Sequence, residues 1–456
     1  MQRVTTDRHS AAARDTGTTV SVPEMGHKRA RFSRVFEIGR ASRAASASPE
    51  SAPSANEWRV LLCWTLLAFL IRLALVSRLE QVITPDGTQY VALGQSLIGG
   101  NFSAGFSPYW SPLFPLLVGL SSFFFPDPEF AGRFVSVLCG SLVVLPTFKL
   151  VRIWYGPRAA LLSACLVALH PLLIYYSTEV LTEATYTLFF MFAVLAGWYA
   201  LTTGRARSYL VAGATLGVCY LLKPEAAGFL LILLAPTVAQ KLFDKTINFR
   251  TPVKNALVLC AGFMLAAAPY LIYLRYVMGA WMISGKMGGQ MWQGSRRAGS
   301  GIIQLPLLPD FATILVQLMK ALRFEFEILN LIFPPVFVLL VGVCLFRKHW
   351  TGERARRELY LFSFIAATLV GYAVTLPNIR FIVPLLPILL CWVSQGILEM
   401  GQWTNETLLR VKSLDRFSLI LRKLVVPLVV ALLLARVLPL AVYLFRGDKW
   451  SDYYGQ

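Results

Sequence analysis

Charged residues are scarce. They make up 15% of the 456 residues, against 56% hydrophobic, whereas about a quarter of a soluble domain is charged. The polar faces that keep a globular core in solution are therefore missing. The apolar residues run instead in long blocks, many reaching the roughly 20 that cross a bilayer as a helix. Acidic residues are scarcer still: 24 Asp plus Glu against 43 Lys plus Arg leave a net charge of +19. In a soluble protein that surplus would suggest nucleic acid. Here the Lys and Arg sit between apolar blocks, where they set orientation, so no nucleic-acid partner is implied. The four histidines are scattered and form no metal constellation. The seven cysteines (Cys63, Cys139, Cys165, Cys219, Cys260, Cys344 and Cys391) all lie inside apolar blocks, with no CxxC. That pattern excludes a disulfide framework and a zinc site, and leaves small core residues. No secretory signal precedes the first block, and no internal repeat is evident.

What is present organises into a tail and a membrane domain. Residues 1–57 are rich in Ser, Ala and Arg and lack apolar periodicity, the composition of a disordered segment. Acidic Asp7, Asp15 and Glu24 argue against a transit peptide, and Lys28, Arg29, Arg31, Arg34, Arg40 and Arg43 favour a cytoplasmic N-terminus. From that start, spans are expected at about 59–79, 131–152, 158–176, 183–202, 207–222, 226–243, 255–278, 327–346, 358–376, 380–399 and 424–445. The expected fold is all-α, with about eleven transmembrane helices over 58–446 and an outer tail at 447–456. The segment 109–125 is apolar enough to cross. If it did, the basic loops at 205–207, 241–254 and 347–357 would all invert to the outside, against the positive-inside bias. It reads instead as a juxtamembrane helix within a long first outer loop, 80–130, with Pro112 and Pro115 in its first turns. A second outer loop covers 279–326.

This topology gathers chemistry at the outer face. Asp86 lies in the first loop, Glu179 and Glu183 in the next, then Lys223 and Glu225, then Lys286, Arg296 and Arg297, and finally Arg380. Each has an ordinary explanation. Asp86 stands in Pro-Asp-Gly, a turn signal; Glu183 suits a helix N-terminus; Lys223 can snorkel; Arg380 can anchor a helix boundary; the glycine-rich 284–300 reads as a solvated loop. Together they ask for more. Cations at the outer face run against the topological bias, and a lipid phosphate would require them, because guanidinium groups match phosphate oxygens bidentately. A nearby carboxylate supplies a general base for an acceptor hydroxyl. Base, phosphate clamp and an apolar groove for an isoprenoid tail describe sugar transfer from a polyprenyl phosphate.

The motifs extend that reading. They are Asp86 followed by Tyr90, the aromatic-Pro stretch from Tyr109 to Pro115, and Tyr-Gly-Pro-Arg from Tyr155 to Arg158. His-Pro and then Ser-x-x-x-x-Thr-Glu follow between His170 and Glu183, then Leu-Lys-Pro-Glu from Leu222 to Glu225, and Arg-Phe-x-x-Pro-x-x-Pro from Arg380 to Pro387. In this order and spacing, across about 59–400, the chain resembles the GT-C membrane glycosyltransferases, among them protein mannosyltransferases, aminoarabinose transferase and lipopolysaccharide galacturonosyltransferases. The resemblance implies an inverting transferase with Asp86 as catalytic base and Glu183 at the second acidic position. Taken with the outer-face charges, the substrate-binding candidates are Tyr90, Tyr109, Glu179, Lys223, Glu225, Arg296, Arg297 and Arg380, with Glu179 one helical turn from Glu183 and expected on its face. Relatives often carry Asp-Glu at the first motif; Gly87 replaces that Glu here. No metal ligand is therefore assigned and no cofactor is required, though a divalent cation stays open. The expected donor is a polyprenyl-phosphate sugar, the acceptor a lipid, glycan or protein, and the surroundings membrane lipid, with the active site outside the plasma membrane. A lipid or solute transporter and an inactive relative are the competing readings.

Overall fold

A computed structural model describes residues 53–78, 82–243, 248–285, 335–374 and 379–409, with scattered positions in 319–333 and 430–442. The expected basic tail up to residue 52, Lys286, Arg296 and Arg297, the span at 424–445 and the tail at 447–456 lie outside these or nearly so. Among the described residues every regular element is a helix. Five are long and apolar enough to cross a membrane: Ala55–Val76, Pro128–Tyr155, Thr182–Thr203, Arg250–Met278 and Ile379–Thr404. Shorter apolar helices occupy Pro157–Leu169, Pro224–Ala239 and Pro335–Phe346. The protein is an all-α membrane protein; the number eleven is not read from these helices.

Helix α1 (Ala55–Val76) starts where Ser54 accepts from the Glu57 amide at 3.2 Å, an N-cap that satisfies one of the orphan donors of the first turn. The Glu57 carboxylate reaches Arg152 Nε at 2.6 Å. An acid in a first turn and a base in a last turn each complement the helix dipole, so this pair fastens α1 to the end of an antiparallel neighbour. At the other end of α1 the chain enters α2 (Pro85–Ile98) and then α3 (Leu113–Ser121). With 9 residues at about 1.5 Å each, α3 is about 14 Å long, far short of the roughly 30 Å of hydrocarbon. The apolar stretch at 109–125 is thus a short helix lying on its neighbours. Gly94 and Gly119 let α2 and α3 touch backbone to backbone: a Cβ on Gly94 would stand 2.6 Å from the Pro115 carbonyl oxygen.

The next helices run α4 (Pro128–Leu142) into α5 (Val144–Tyr155), then α6 (Pro157–Leu169). The apolar block expected to continue to residue 176 breaks at His170, which is extended (φ −63°, ψ 120°) before Pro171. A residue preceding proline is pushed out of the helical region, so the chain stops and resumes as the short helix Pro171–Tyr176. The break leaves carbonyls without helical partners. Arg72 of α1, fully buried, donates from Nη1 to the Ala168 carbonyl at 2.9 Å and to its own Ala68 at 3.0 Å. A guanidinium beside a helix C-terminus is favourable for the dipole as well. Helices α7 (Thr182–Thr203), α8 (Ala206–Tyr220), α9 (Phe229–Phe243) and α10 (Arg250–Met278) follow. Glycines again set a close crossing, since a Cβ on Gly213 would lie 2.0 Å from the Leu259 carbonyl oxygen, as small-residue interfaces in membranes require. Helices α11 (Pro335–Phe346), α12 (Gly352–Val374) and α13 (Leu386–Leu409) complete the bundle.

The basic segments meet at the end marked by Glu57 and Arg152. There Glu358 of α12, 2% exposed, accepts from Tyr155 Oη at 2.8 and 2.9 Å and from Trp392 Nε1 at 2.6 Å. Arg354 stands 3.9 Å away. This carboxylate joins α5, α12 and α13, and gives Tyr155 of the Tyr-Gly-Pro-Arg motif a structural task. Removing one partner of a buried charged network costs about 3–5 kcal/mol. Glu358→Ala is therefore expected to lower the melting temperature in detergent by many degrees, while the folded fraction keeps wild-type donor affinity; a wild-type melting curve would refute this role.

Candidate active site

At the opposite end a cleft is lined by Asp86, Tyr90, Trp110, Ser111, Thr182, Glu183, Leu222, Lys223, Glu225, Arg380 and Phe381. Five separate segments supply these residues. Asp86 is in the first turn of α2, because Thr84 caps the helix by accepting from the Gly87 amide at 3.1 Å and Pro85 occupies its first position. Pro-Asp-Gly is thus a helix start and not a turn, and the carboxylate sits where the dipole favours it. Gly87 has a packing reason: a Cβ there would press on Val180, 3.1 Å from its carbonyl oxygen. Any side chain at this position crowds that wall.

Arg380 bridges the cleft. Its Nη1 is 2.6 Å from Asp86 Oδ2 and its Nε is 3.9 Å from Glu183 Oε1. Behind it Lys223 Nζ donates to Glu183 Oε1 at 3.0 Å, with the two side chains 8% and 2% exposed. Lys223 is therefore no interfacial snorkel; it is the buried counter-ion that allows Glu183 to stay charged in an apolar wall. Asp86 and Arg380 are more open, at 26% and 31% exposed. Glu225 is exposed at the rim. Tyr90 is buried, edge-on to Trp110 and Phe114 at 5.1 Å each. Burial, reinforced by the charges of Glu183 and Asp86, pushes its phenol far above the ordinary range, so it faces the cleft as a neutral hydroxyl. Two polar atoms on the wall, Ser111 Oγ and Glu183 Oε2, are buried with no hydrogen-bond partner among the described residues. Unpaired buried groups of this kind cost free energy, and both are of a kind that a hydroxyl group can partner.

Two candidates fall elsewhere. Glu179 does not share a face with Glu183, since the chain bends through 177–181 with Leu181 extended (φ −138°, ψ 156°) and α7 begins only at Thr182. Glu179 is buried beside Arg133, and burial raises its carboxyl above the usual range. Tyr109 is 48% exposed, lies edge-on to Trp110 at 4.9 Å and is not part of the cleft wall. Conversely, Trp110, Ser111, Thr182 and Phe381 line the cleft without a sequence signal of their own, beyond adjacency to residues that have one. Among the described residues no three His, Cys, Asp or Glu side chains come together to hold a metal ion. Asp86 and Glu183 are engaged by Arg380 and Lys223, Glu225 stands apart at the rim, and position 87 holds a glycine in place of a second acid. The residues present do not fit a divalent cation, so none enters the chemistry below.

The arrangement of helices recurs in two solved structures. One is ArnT from Cupriavidus metallidurans bound to undecaprenyl phosphate, which aligns with TM-score 0.52 at 14% identity over 87% of this chain and 78% of its own. The other is the archaeal oligosaccharyltransferase AglB from Archaeoglobus fulgidus in complex with an inhibitory peptide and a dolichol-phosphate (TM-score 0.51, 14% identity, 84% of this chain and 56% of its own). The chain has the GT-C fold. Within this GT-C chain, residues 108–273 match the family described as dolichyl-phosphate-mannose-protein mannosyltransferase. The chain is also similar to the undecaprenyl phosphate-alpha-4-amino-4-deoxy-L-arabinose arabinosyl transferase of Pseudomonas paraeruginosa, 29% identical over 168 residues, 34% of this chain and 30% of the relative. The corresponding transferase 1 of Pseudomonas fluorescens is 26% identical over 224 residues, 46% of this chain and 38% of the relative. The matched part is thus about a third of the length of these curated relatives.

Proposed function

We propose that this protein is an inverting glycosyltransferase that moves a sugar from a polyprenyl-phosphate donor to a lipid, glycan or protein acceptor at the outer face of the plasma membrane. The observation that carries this reading is the convergence of Asp86, Glu183, Lys223 and Arg380 on one cleft, at the end of the bundle away from the basic loops. Asp86, open to the cleft, takes the proton of the acceptor hydroxyl. The acceptor oxygen attacks the anomeric carbon from the side opposite the phosphate, the bond to the phosphate oxygen breaks, and the electron pair leaves with the phosphate. Arg380 holds that phosphate with its planar fork, and the Lys223–Glu183 pair behind it fixes the charge balance. The outer-face assignment is supported by the gathering of Arg152, Arg347, Arg354 and Arg357 at the other end, as the positive-inside bias asks.

The donor sugar is open between hexosyl and pentosyl. The relatives are named for an amino pentose, and Glu225 has no ion-pair partner among the described residues while lining the cleft. It is the carboxylate available to an amino substituent, so a pentosyl donor comes first in any panel. Purified protein in lipid nanodiscs is expected to bind undecaprenyl phosphate. Deletion of the gene is expected to remove one class of glycolipid or glycoprotein detectable by mass spectrometry. No undecaprenyl-phosphate binding together with an unchanged glycan profile would overturn the reading.

A further inference from the structure

Phe381 occupies an unusual place. Lys223 Nζ lies 4.8 Å from the centre of its ring and the Arg380 guanidinium carbon 4.9 Å. The ring itself stacks on Tyr372 at 4.7 Å with an interplanar angle of 13°, and Tyr372 is buried, 5% exposed. Two cations therefore share one phenyl group, and that group is backed by a second aromatic ring held in the bundle. Lys223 also meets the Tyr186 ring at 5.3 Å. Like charges brought this close repel. The carboxylates of Asp86 and Glu183 offset part of that repulsion, and the negative π-face of Phe381 offsets more without presenting a competing anion. That distinction matters at a site for an anionic ligand. A further carboxylate placed directly against the two cations would compete with a phosphate for them, whereas an aromatic face stabilises them and leaves their charge free to act outward.

We propose that Phe381 is a positioning residue for the donor phosphate: its ring holds the Arg380 guanidinium, which grips the phosphate, beside the buried Lys223–Glu183 pair. The assignment rests on the glycosyltransferase reading above. It predicts a dependence on the electronic character of the ring that simple packing does not share. Fluorination at one, two and three ring positions withdraws density from the π-face with little change in size. Incorporated at position 381, this series is expected to weaken undecaprenyl-phosphate binding stepwise, to a total loss of about tenfold, consistent with two cation–π contacts. Phe381→Leu, which keeps apolar bulk and loses the face, is expected to match or exceed that loss. Phe381→Trp, with the stronger face, is expected to restore binding to within about twofold of wild type. In turnover, the donor KM rises through the series while kcat at saturating donor stays near wild type.

Undecaprenyl phosphate in nanodiscs is the probe, with melting temperature recorded for each variant to separate folding from binding. Wild-type protein that binds the probe alongside a fluorinated series of unchanged affinity would overturn the role of Phe381 and leave the transferase reading standing. Wild-type protein that fails to bind it would overturn both. If Phe381→Leu does not fold, the fluorinated series, which preserves shape, carries the test alone.

Discussion

Asp86→Asn protein is expected to insert and fold normally, to bind undecaprenyl phosphate at least as tightly as wild type does, and to transfer almost no sugar. Asparagine keeps the shape of the side chain and an oxygen that Arg380 Nη1 can approach, now at 2.6 Å from Asp86 Oδ2. It also keeps the first turn of α2, which is fixed by Thr84 and Pro85 and not by the carboxylate. What it cannot do is accept a proton. Phosphate is a good leaving group and needs no separate acid, so the reaction leans on a single base, and removal of a general base costs about 100- to 10,000-fold in rate. Turnover of purified variant with a competent donor and acceptor, set beside its donor affinity, makes the measurement. Near-wild-type turnover would move the base elsewhere. Glu183 would be the next candidate, because its Oε2 is unpartnered among the described residues even though Oε1 is held by Lys223.

The selectivity of that expectation comes from the contrast between the two acids. Glu183 is 2% exposed and paired with a buried lysine. A charge so placed is held by its partners and is poorly reached by an incoming hydroxyl. Asp86 is about a quarter exposed, its one ionic partner among the described residues is the half-buried Arg380, and it lines the cleft. The same two residue types thus separate into a structural acid and a reacting one by environment, as in other two-carboxylate sites.

The charged framework of this site was legible in the sequence for a physical reason. Asp86, Glu183, Lys223, Glu225 and Arg380 all stand at boundaries of apolar blocks, on the side where topology asks for no cations, and such residues are rarely there without a ligand or a counter-ion. The short helix at Leu113–Ser121 was legible too, since a crossing there would invert every basic loop. Orientation was not legible. Glu179 and Glu183 would share a face only on a continuous helix, and the extended Leu181 interrupts it. Tyr109 and Trp110 are neighbours in the chain, yet only Trp110 lines the cleft, because a change of one position turns a side chain to a different face. Nor did charge counting separate Glu358 and Arg354 from the other residues of a basic loop. They are buried ties between helices, and burial depends on helices remote in sequence. Arg72 is similar: its partner is a carbonyl freed by the break at Pro171, 96 residues away.

Arg380→Lys is expected to weaken donor use about 10- to 100-fold, the loss of one to two strong charge-assisted hydrogen bonds, although the charge is retained. The free space between the cleft side chains is about 20 Å³, room for about one water molecule. A sugar phosphate enters only when the Arg380–Asp86 contact opens. A phosphate competes for the guanidinium, and its arrival frees the Asp86 carboxylate at the moment when a base is needed. Arginine suits this exchange because its fork can grip phosphate oxygens bidentately while Nε still faces Glu183, 3.9 Å away. Lysine offers a single point charge on a flexible stem and must choose between partners. The loss should therefore appear chiefly in the donor KM, and it should be accompanied by a change of order. Wild-type enzyme is expected to bind donor before acceptor, since donor uncovers the base, and Arg380→Lys to lose that preference. Product-inhibition patterns with saturating and limiting donor report the order, and undecaprenyl-phosphate titration reports the affinity. Wild-type affinity in Arg380→Lys would shift the phosphate to Lys223 or to the Arg296–Arg297 pair, and would leave the Arg380–Asp86 contact as a structural tie alone.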